Sequence, residues 1–230
     1  HGVKVTADNR QAVRSAQVVV IALKPQDLGT VLNELKGVLQ PQQMVISIVA
    51  GARLKAFREG LAHDAIVRVM PNTPAQIGEG MSVWTGTHGV NETQLEQART
   101  ILQALGKERY VKEEKFLDMA TAISGTGPTY VFLVMEAMID AAVHLGFPRH
   151  IAYELVTETM RGSTLFAMRS AKHTAELRNM VTSPGGTSAA ALYELEKGSL
   201  RTVISRAIKA AYERSKQLGE ESTSSIDTEG

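Results

Sequence analysis

Three short runs constrain this chain more than any other feature: residues 18–23 (Val-Val-Val-Ile-Ala-Leu), 44–49 (Met-Val-Ile-Ser-Ile-Val) and Ile66–Met70. Each is nearly continuous in apolar, mostly β-branched residues. Each stops at a turn: Lys24-Pro25, Ala50-Gly51 and Pro71-Asn72-Thr73-Pro74. Runs apolar on both faces belong to a buried parallel sheet, which helices cover on both sides. Residues 26–39 and 52–62, between the runs, carry helical patterns. Strand, helix, strand, helix, strand predicts βαβ units in an open, doubly wound sheet. Ligands of such sheets sit outside the carboxyl ends of the strands. A short strand at 81–85 and a helix at 92–105 follow.

From Glu113 onward the strand pattern ends and helices run to Leu218. Pro128 stands at the first turn of a helix over 129–145, ended by Gly146. Its apolar residues Val131, Phe132, Leu133, Val134, Met135, Met138, Ile139 and Val143 go almost all round. With Glu136 and Asp140 in it and so few residues, it reads as too short and too charged for a membrane span. A helix apolar on every side needs cover on every side, which predicts a second subunit. Further helices are expected at Arg149–Arg169, Thr174–Met180, 187–195 and 200–218. The stretch 219–230 is polar and acidic, and reads as disordered.

Lys and Arg total 25 against 24 Asp and Glu, a net charge of +1. That balance offers no electrostatic case for nucleic acid or an anionic membrane as partner. Cysteine is absent, so disulfides, thiolate catalysis and Cys-ligated metal are excluded. No apolar secretory segment opens the chain, and a reducing cytoplasm is the expected compartment.

The Gly-x-Gly-x-x-Gly fingerprint of a dinucleotide loop is missing. Gly78-Glu79-Gly80 and Gly125-Thr126-Gly127 lack the third glycine and follow no buried strand, so they read as turns. No two of the six histidines have the spacing of a zinc helix, and they read as surface residues. Glu136 and Asp140, one helical turn apart, read as structural acids rather than an acid–base pair. The strongest local signal is residues 181–192, where a helix ends, Ser183-Pro184-Gly185-Gly186 turns, and a helix restarts at Thr187 or Ser188. Two readings stand side by side: an anion site at a helix N-terminus ringed by Ser183, Thr187 and Ser188, or a helix simply capped by Ser or Thr. A second small-residue turn, Ser124-Gly125-Thr126-Gly127-Pro128, opens the long apolar helix.

Five segments in order resemble the pyrroline-5-carboxylate reductase family: Thr6-Ala7-Asp8-Asn9, Ala22-Leu23-Lys24-Pro25, Met70-Pro71-Asn72-Thr73-Pro74, Ser124 to Tyr130, and Thr182 to Leu192. The resemblance implies a Rossmann domain followed by a helical domain through which subunits dimerise. It implies reduction of 1-pyrroline-5-carboxylate to L-proline, the last step of proline biosynthesis, with NADPH or NADH and NADP favoured. Under it, residues 1–112 form a partial Rossmann dinucleotide-binding domain, 113–219 the dimerisation and substrate domain, and 220–230 the disordered tail. It places Asn9, Ala22, Lys24, Pro25, Ala50 and Asn72 around the cofactor. Ser183, Gly185, Gly186, Thr187 and Ser188 would hold the substrate carboxylate, and Thr121 would face the imine nitrogen. The partners implied are the small-molecule substrate and a second copy of the chain, with no metal.

Two departures from the family pattern stand out. Ser188 replaces the family's usual Thr, keeping the hydroxyl but losing a methyl, which predicts weaker positioning. The family's opening strand, Gly-rich loop, helix and second strand have no counterpart here, and Val3-Lys4-Val5 matches its third strand. The part without counterpart corresponds to roughly 30–45 residues, about one βαβ start. A different class of reading therefore stands beside the reductase: a non-catalytic dimerising fragment or pseudoenzyme without a phosphate loop. The similarly built β-hydroxyacid dehydrogenases use a lysine on the long helix of their second domain. Residues 129–145 contain none.

Overall fold

The computed structural model describes residues 2–227, with side chains through residue 220. Helix α1 (Asn9–Val13) starts where the Asp8 carboxylate accepts the N–H groups of Arg10 and Gln11, at 2.9 and 3.2 Å. Strand β1 (Val18–Ile21) follows, then a 3₁₀ turn (Pro25–Asp27) that leads into α2 (Leu28–Leu35). The helix expected over 26–39 is thus shorter and tightened at its start, because Pro25 presets the first turn. Next come β2 (Met44–Ser47), α3 (Leu54–Leu61) and β3 (Ile66–Met70). The strands β1, β2 and β3 are parallel neighbours, with Ile21, Ser47 and Arg68 level with one another.

Side chains alternate across this sheet and fill two cores. Val19, Ile21, Val45 and Ile66 pack with Leu32, Phe57 and Leu61, from α2 and α3. Met44, Ile46, Val67 and Val69 pack on the other face. The sheet is doubly wound, as expected of a Rossmann-type fold.

Beyond β3 the sheet becomes mixed. A 3₁₀ turn (Thr73–Ile77) leads to β4 (Gly80–Gly86), which runs antiparallel to β3. The connection, residues 71–79, is too short for the crossover that a parallel neighbour requires. Helix α4 (Glu92–Gln103) opens with a capping box between Asn91 and Gln94, and Ala98 and Leu102 cover Trp84 in the second core. It then delivers β5 (Gly106–Tyr110), parallel to β4. The sequence pattern does not announce β5, since Gly-Lys-Glu-Arg-Tyr lacks apolar alternation. A polar strand is what an exposed sheet edge tolerates.

At the opposite edge, β1 has β2 as its one strand neighbour among the described residues, and Val20 is 53% exposed. The strand expected at Val3-Lys4-Val5 does not form, and Val5 is 90% exposed. A strand needs a neighbour for its backbone groups, and none lies beside this segment among the described residues.

The remainder is helical. Helix α5 (Lys115–Ala120) passes through a π-helical turn (Thr121–Gly125) into α6 (Gly127–His144), followed by α7 (Arg149–Arg169) and α8 (Thr174–Met180). Helix α9 (Thr187–Lys197) and α10 (Leu200–Asp227) complete the chain. The last helix runs through most of the stretch expected to be disordered, because extending an existing helix costs far less than nucleating one. Residues 228–230 of that stretch lie outside the described residues.

The chain divides into two compact units, residues 1–128 with 208–230, and residues 129–207. Helix α5 goes with the first of these units and contacts β3 and β4. The second half of α10 belongs with the sheet. By length and composition alone, the helical path Lys115–His144 is long and apolar enough to cross a membrane, although α6 itself spans 18 residues and carries Glu136 and Asp140. Within residues 129–207 the apolar side chains of α6 are largely uncovered, with Phe132 59% and Leu133 64% exposed.

Gly51, just past β2, shows how tightly α10 lies on the sheet unit. Its φ is +77°, and a Cβ there would stand 2.8 Å from Leu218 Cβ and 3.1 Å from the Leu218 carbonyl carbon. Gly51→Ala therefore combines a left-handed backbone with a clash against main chain. It should lower stability by about 1–3 kcal/mol, read from the urea unfolding midpoint.

Candidate active site

The sheet register brings the carboxyl ends of β1, β2 and β3 to one edge. Ala22, Lys24 and Pro25 follow β1, Ala50 follows β2, and Asn72 follows β3. Five of the six expected cofactor residues thus share that edge. The sixth, Asn9, opens α1 and shares with Ala22 and Leu23 a groove of 360 Å³ along β1. Lys24 and Ala22 are exposed. Small side chains at Ala22 and Ala50 leave the main chain approachable, and Lys24 brings a cation to it.

Two of these residues are already engaged. Asn9 Nδ2 donates to Glu34 Oε2 at 2.7 Å, so the exposed α1–α2 pair holds it in place. Asn72 uses both ends of its amide: Nδ2 donates to the Ser124 carbonyl (3.1 Å), and Oδ1 accepts the Met81 N–H (2.8 Å). Its side chain ties the end of β3 to the π-helical turn and to the start of β4.

Thr121 is the first residue of that π-helical turn, and it is half-buried. π-Turns within helices are uncommon and cluster at functional sites. Thr121 Oγ1 donates to the Leu117 carbonyl at 2.8 Å. The Thr121 carbonyl accepts both the N–H and the hydroxyl of Thr126, at 2.8 and 2.9 Å. With its proton committed to Leu117, the Thr121 hydroxyl has only lone pairs left to offer another group.

Ser183 to Ser188 lie in the other unit, residues 129–207. The Gly186 N–H donates to the Ser183 carbonyl at 3.0 Å, and Gly185 has φ +72°. Pro second and a positive-φ Gly third is the type II turn pattern. A Cβ on Gly186 would stand 2.5 Å from Ser183 Oγ. The N-cap of α9 is Gly186, with no side-chain capping bond, so neither Ser nor Thr caps this helix. The Ala189 and Ala190 N–H groups turn back to the Gly186 carbonyl. That leaves the N–H groups of Thr187 and Ser188 unpaired among the described residues, at the positive end of an 11-residue helix. Such a terminus favours a carboxylate.

Other residues weighed from the sequence have structural partners. Asp140 is ion-paired with Arg149 at 2.7 Å. His63 is buried rather than at the surface, its Nε2 2.7 Å from the Gln43 carbonyl.

Sequence reasoning missed a buried charged cluster on β3. Arg68, in the middle of β3, is 3% exposed and reaches Glu114 and Asp118 at 2.9 Å each. An arginine inside an otherwise apolar strand is the signal that could have found it, since a buried charge requires a partner.

Comparison with known proteins bears directly on this geometry. The family described as Pyrroline-5-carboxylate reductase dimerisation matches residues 114–218, and NADP oxidoreductase coenzyme F420-dependent matches residues 1–51. The pyrroline-5-carboxylate reductase of Pisum sativum is 38% identical over 94% of this chain and 79% of its own length. That of Synechocystis is 41% identical over 94% and 80%. The chain belongs to the pyrroline-5-carboxylate reductase family. A crystal structure of the Plasmodium falciparum pyrroline carboxylate reductase with NADP bound superposes with a TM-score of 0.89 at 37% identity, over 93% of this chain and 81% of that one. The matched dimerisation region contains the exposed apolar helix α6.

Asn72→Ala removes both bonds of the clamp between β3, the π-turn and β4. It should cost about 1–3 kcal/mol in chemical denaturation, because two polar main-chain groups lose their partners. Asn72→Asp keeps the acceptor for Met81 and should fall between.

Proposed function

We propose that this chain reduces 1-pyrroline-5-carboxylate to L-proline by hydride transfer from NADPH or NADH, with NADPH favoured. One observation carries the geometry of this reading: α9 starts on Gly186 with the Thr187 and Ser188 N–H groups unpaired among the described residues, a seat for a small carboxylate. Relatives 37–41% identical across nearly the whole chain support it over a non-catalytic fragment. The NADP-bound relative and the match of residues 1–51 support a nicotinamide cofactor and favour its phosphorylated form.

The bound dinucleotide supplies a hydride to the substrate's C=N carbon. The chain's own residues bind and orient. Ala22, Lys24, Pro25 and Ala50 line the strand ends with small side chains and one cation, which suits a phosphorylated ligand, and Asn9 and Asn72 frame them. Ser183, Gly185, Gly186, Thr187 and Ser188 hold the carboxylate through main-chain N–H groups and hydroxyls.

Thr121, whose proton goes to Leu117, meets the ring nitrogen as an acceptor. The form it favours is the protonated imine, whose N–H donates to Oγ1. Hydride on carbon then leaves the electron pair on nitrogen and gives the secondary amine, with no further proton required. Positioning supplies most of such a rate, which fits a site without a paired acid and base.

A second copy of the chain covers the apolar surface of α6, including Phe132 and Leu133. We place the reaction in the cytoplasm, where a cysteine-free chain and a reduced dinucleotide are both at home.

The full chain mixed with pyrroline-5-carboxylate and NADPH should form proline as nicotinamide absorbance falls, and no proline with either cofactor would refute the proposal. Thr121→Ala should lower kcat by about tenfold or more, whereas Ser188→Ala should mainly raise KM for the imino acid, by about three- to tenfold. Leu133→Asp should shift sedimentation toward the monomer, since it places a charge in the apolar interface.

A further inference from the structure

The guanidinium of Arg68 enters the sheet unit from the middle of β3, where its neighbours Val67 and Val69 are core residues. Its two arms part: Nη1 donates to Glu114 Oε1 and Nη2 to Asp118 Oδ1, both at 2.9 Å. Glu114 and Asp118 are one helical turn apart at the start of α5, so both carboxylates lie on one face of that helix. Two further donors offset the second negative charge. The Leu54 N–H, at the start of α3, donates to Glu114 Oε1 at 2.7 Å, and the hydroxyl of Ser215 on α10 donates to Asp118 Oδ1 at 3.4 Å. One buried cation therefore gathers α3, α5 and α10 onto β3.

Thr121 follows α5 directly. Asp118 precedes it by three residues, and Leu117, whose carbonyl receives the Thr121 proton, lies beside Asp118. Any slide or rotation of α5 along the sheet would carry the Leu117 carbonyl and the Thr121 hydroxyl with it. Asn72 holds the far end of the π-turn through the Ser124 carbonyl. The turn is clamped at both ends by side chains from the carboxyl half of β3 and the residues just after it.

We infer that Arg68, acting through Asp118 and Glu114, is a positioning residue that fixes the Thr121 hydroxyl at the reacting nitrogen. The inference rests on the role proposed for Thr121. Arg68 touches neither substrate nor cofactor in this scheme; its effect passes through α5. Loss of the clamp therefore falls on the chemical step, while the cofactor residues at the ends of β1 and β2 keep their places.

Asp118→Asn preserves volume and an acceptor oxygen but removes the charge that opposes Arg68. Two measurements on the full chain test it: hydrogen exchange by segment, and steady-state kinetics. Exchange across residues 117–126 should rise about tenfold while the β2 and β3 segments stay within about twofold of the unmodified chain. kcat should fall by about tenfold with KM for NADPH changed less than about threefold. Arg68→Lys, which keeps the charge but can serve one carboxylate at a time, should lie between. Ser215→Ala, which touches only the edge of the cluster, should raise exchange in 117–126 by about two- to threefold and serves if the first variant does not fold. Unchanged exchange in 117–126, or acceleration spread evenly over the sheet, would overturn the inference. If the unmodified chain makes no proline, the proposed reaction fails, and the exchange measurement still decides whether Arg68 positions the turn.

Discussion

An arginine in the interior of a nearly all-apolar strand sets conditions that the surrounding structure has to meet. Arg68 lies in β3, which has strands on both sides and core packing on both faces. A lone charge there would be strongly disfavoured, and losing one partner of such a pair typically costs about 3–5 kcal/mol. The chain meets the requirement from three directions, with carboxylates of residues 114 and 118, the N-terminus of α3 and the hydroxyl of Ser215. This is why α5 and the second half of α10 belong with the sheet, although α10 begins among residues 129–207. A buried salt bridge adds little net stability compared with a well-packed apolar alternative, but it strongly disfavours other placements of α5.

Each unit contributes one kind of chemistry. The sheet unit offers strand ends with small side chains and a threonine on a π-turn. The helical unit offers an uncapped helix start preceded by a type II turn.

Legibility in the sequence follows the range of the interactions involved. Runs at β1, β2 and β3 were readable because burial on both faces leaves its mark in every residue. The turn at Ser183-Pro184-Gly185-Gly186 was readable because Pro and a positive-φ Gly dictate it locally; whether a side chain capped the next helix was not, since Gly186 itself takes that place. β5 escaped notice because an edge strand can be polar, and β4's direction followed from the length of a loop rather than from its own residues. Val3-Lys4-Val5 shows the converse: strand-like residues stay solvated and outside the sheet, with no neighbouring strand among the described residues. The stretch after Leu218 looked disordered by composition, yet its backbone continues α10 to Asp227.

By itself, the order of residues determined the three buried strands β1, β2 and β3, most of the helices, and that a helix over 129–145 needs outside cover. It also carried enough family-specific motifs to indicate the reaction. Only the tertiary structure decided that Asn72 clamps the π-turn, that the Thr121 hydroxyl spends its proton on Leu117, and that Arg68, Glu114, Asp118 and Ser215 form one cluster. Periodicity and turn chemistry act over a few neighbouring residues and so are written locally. The carboxylate partners of Arg68 lie 46 and 50 positions away along the chain, and Ser215 lies 97 from Asp118; only folding brings them within hydrogen-bond reach.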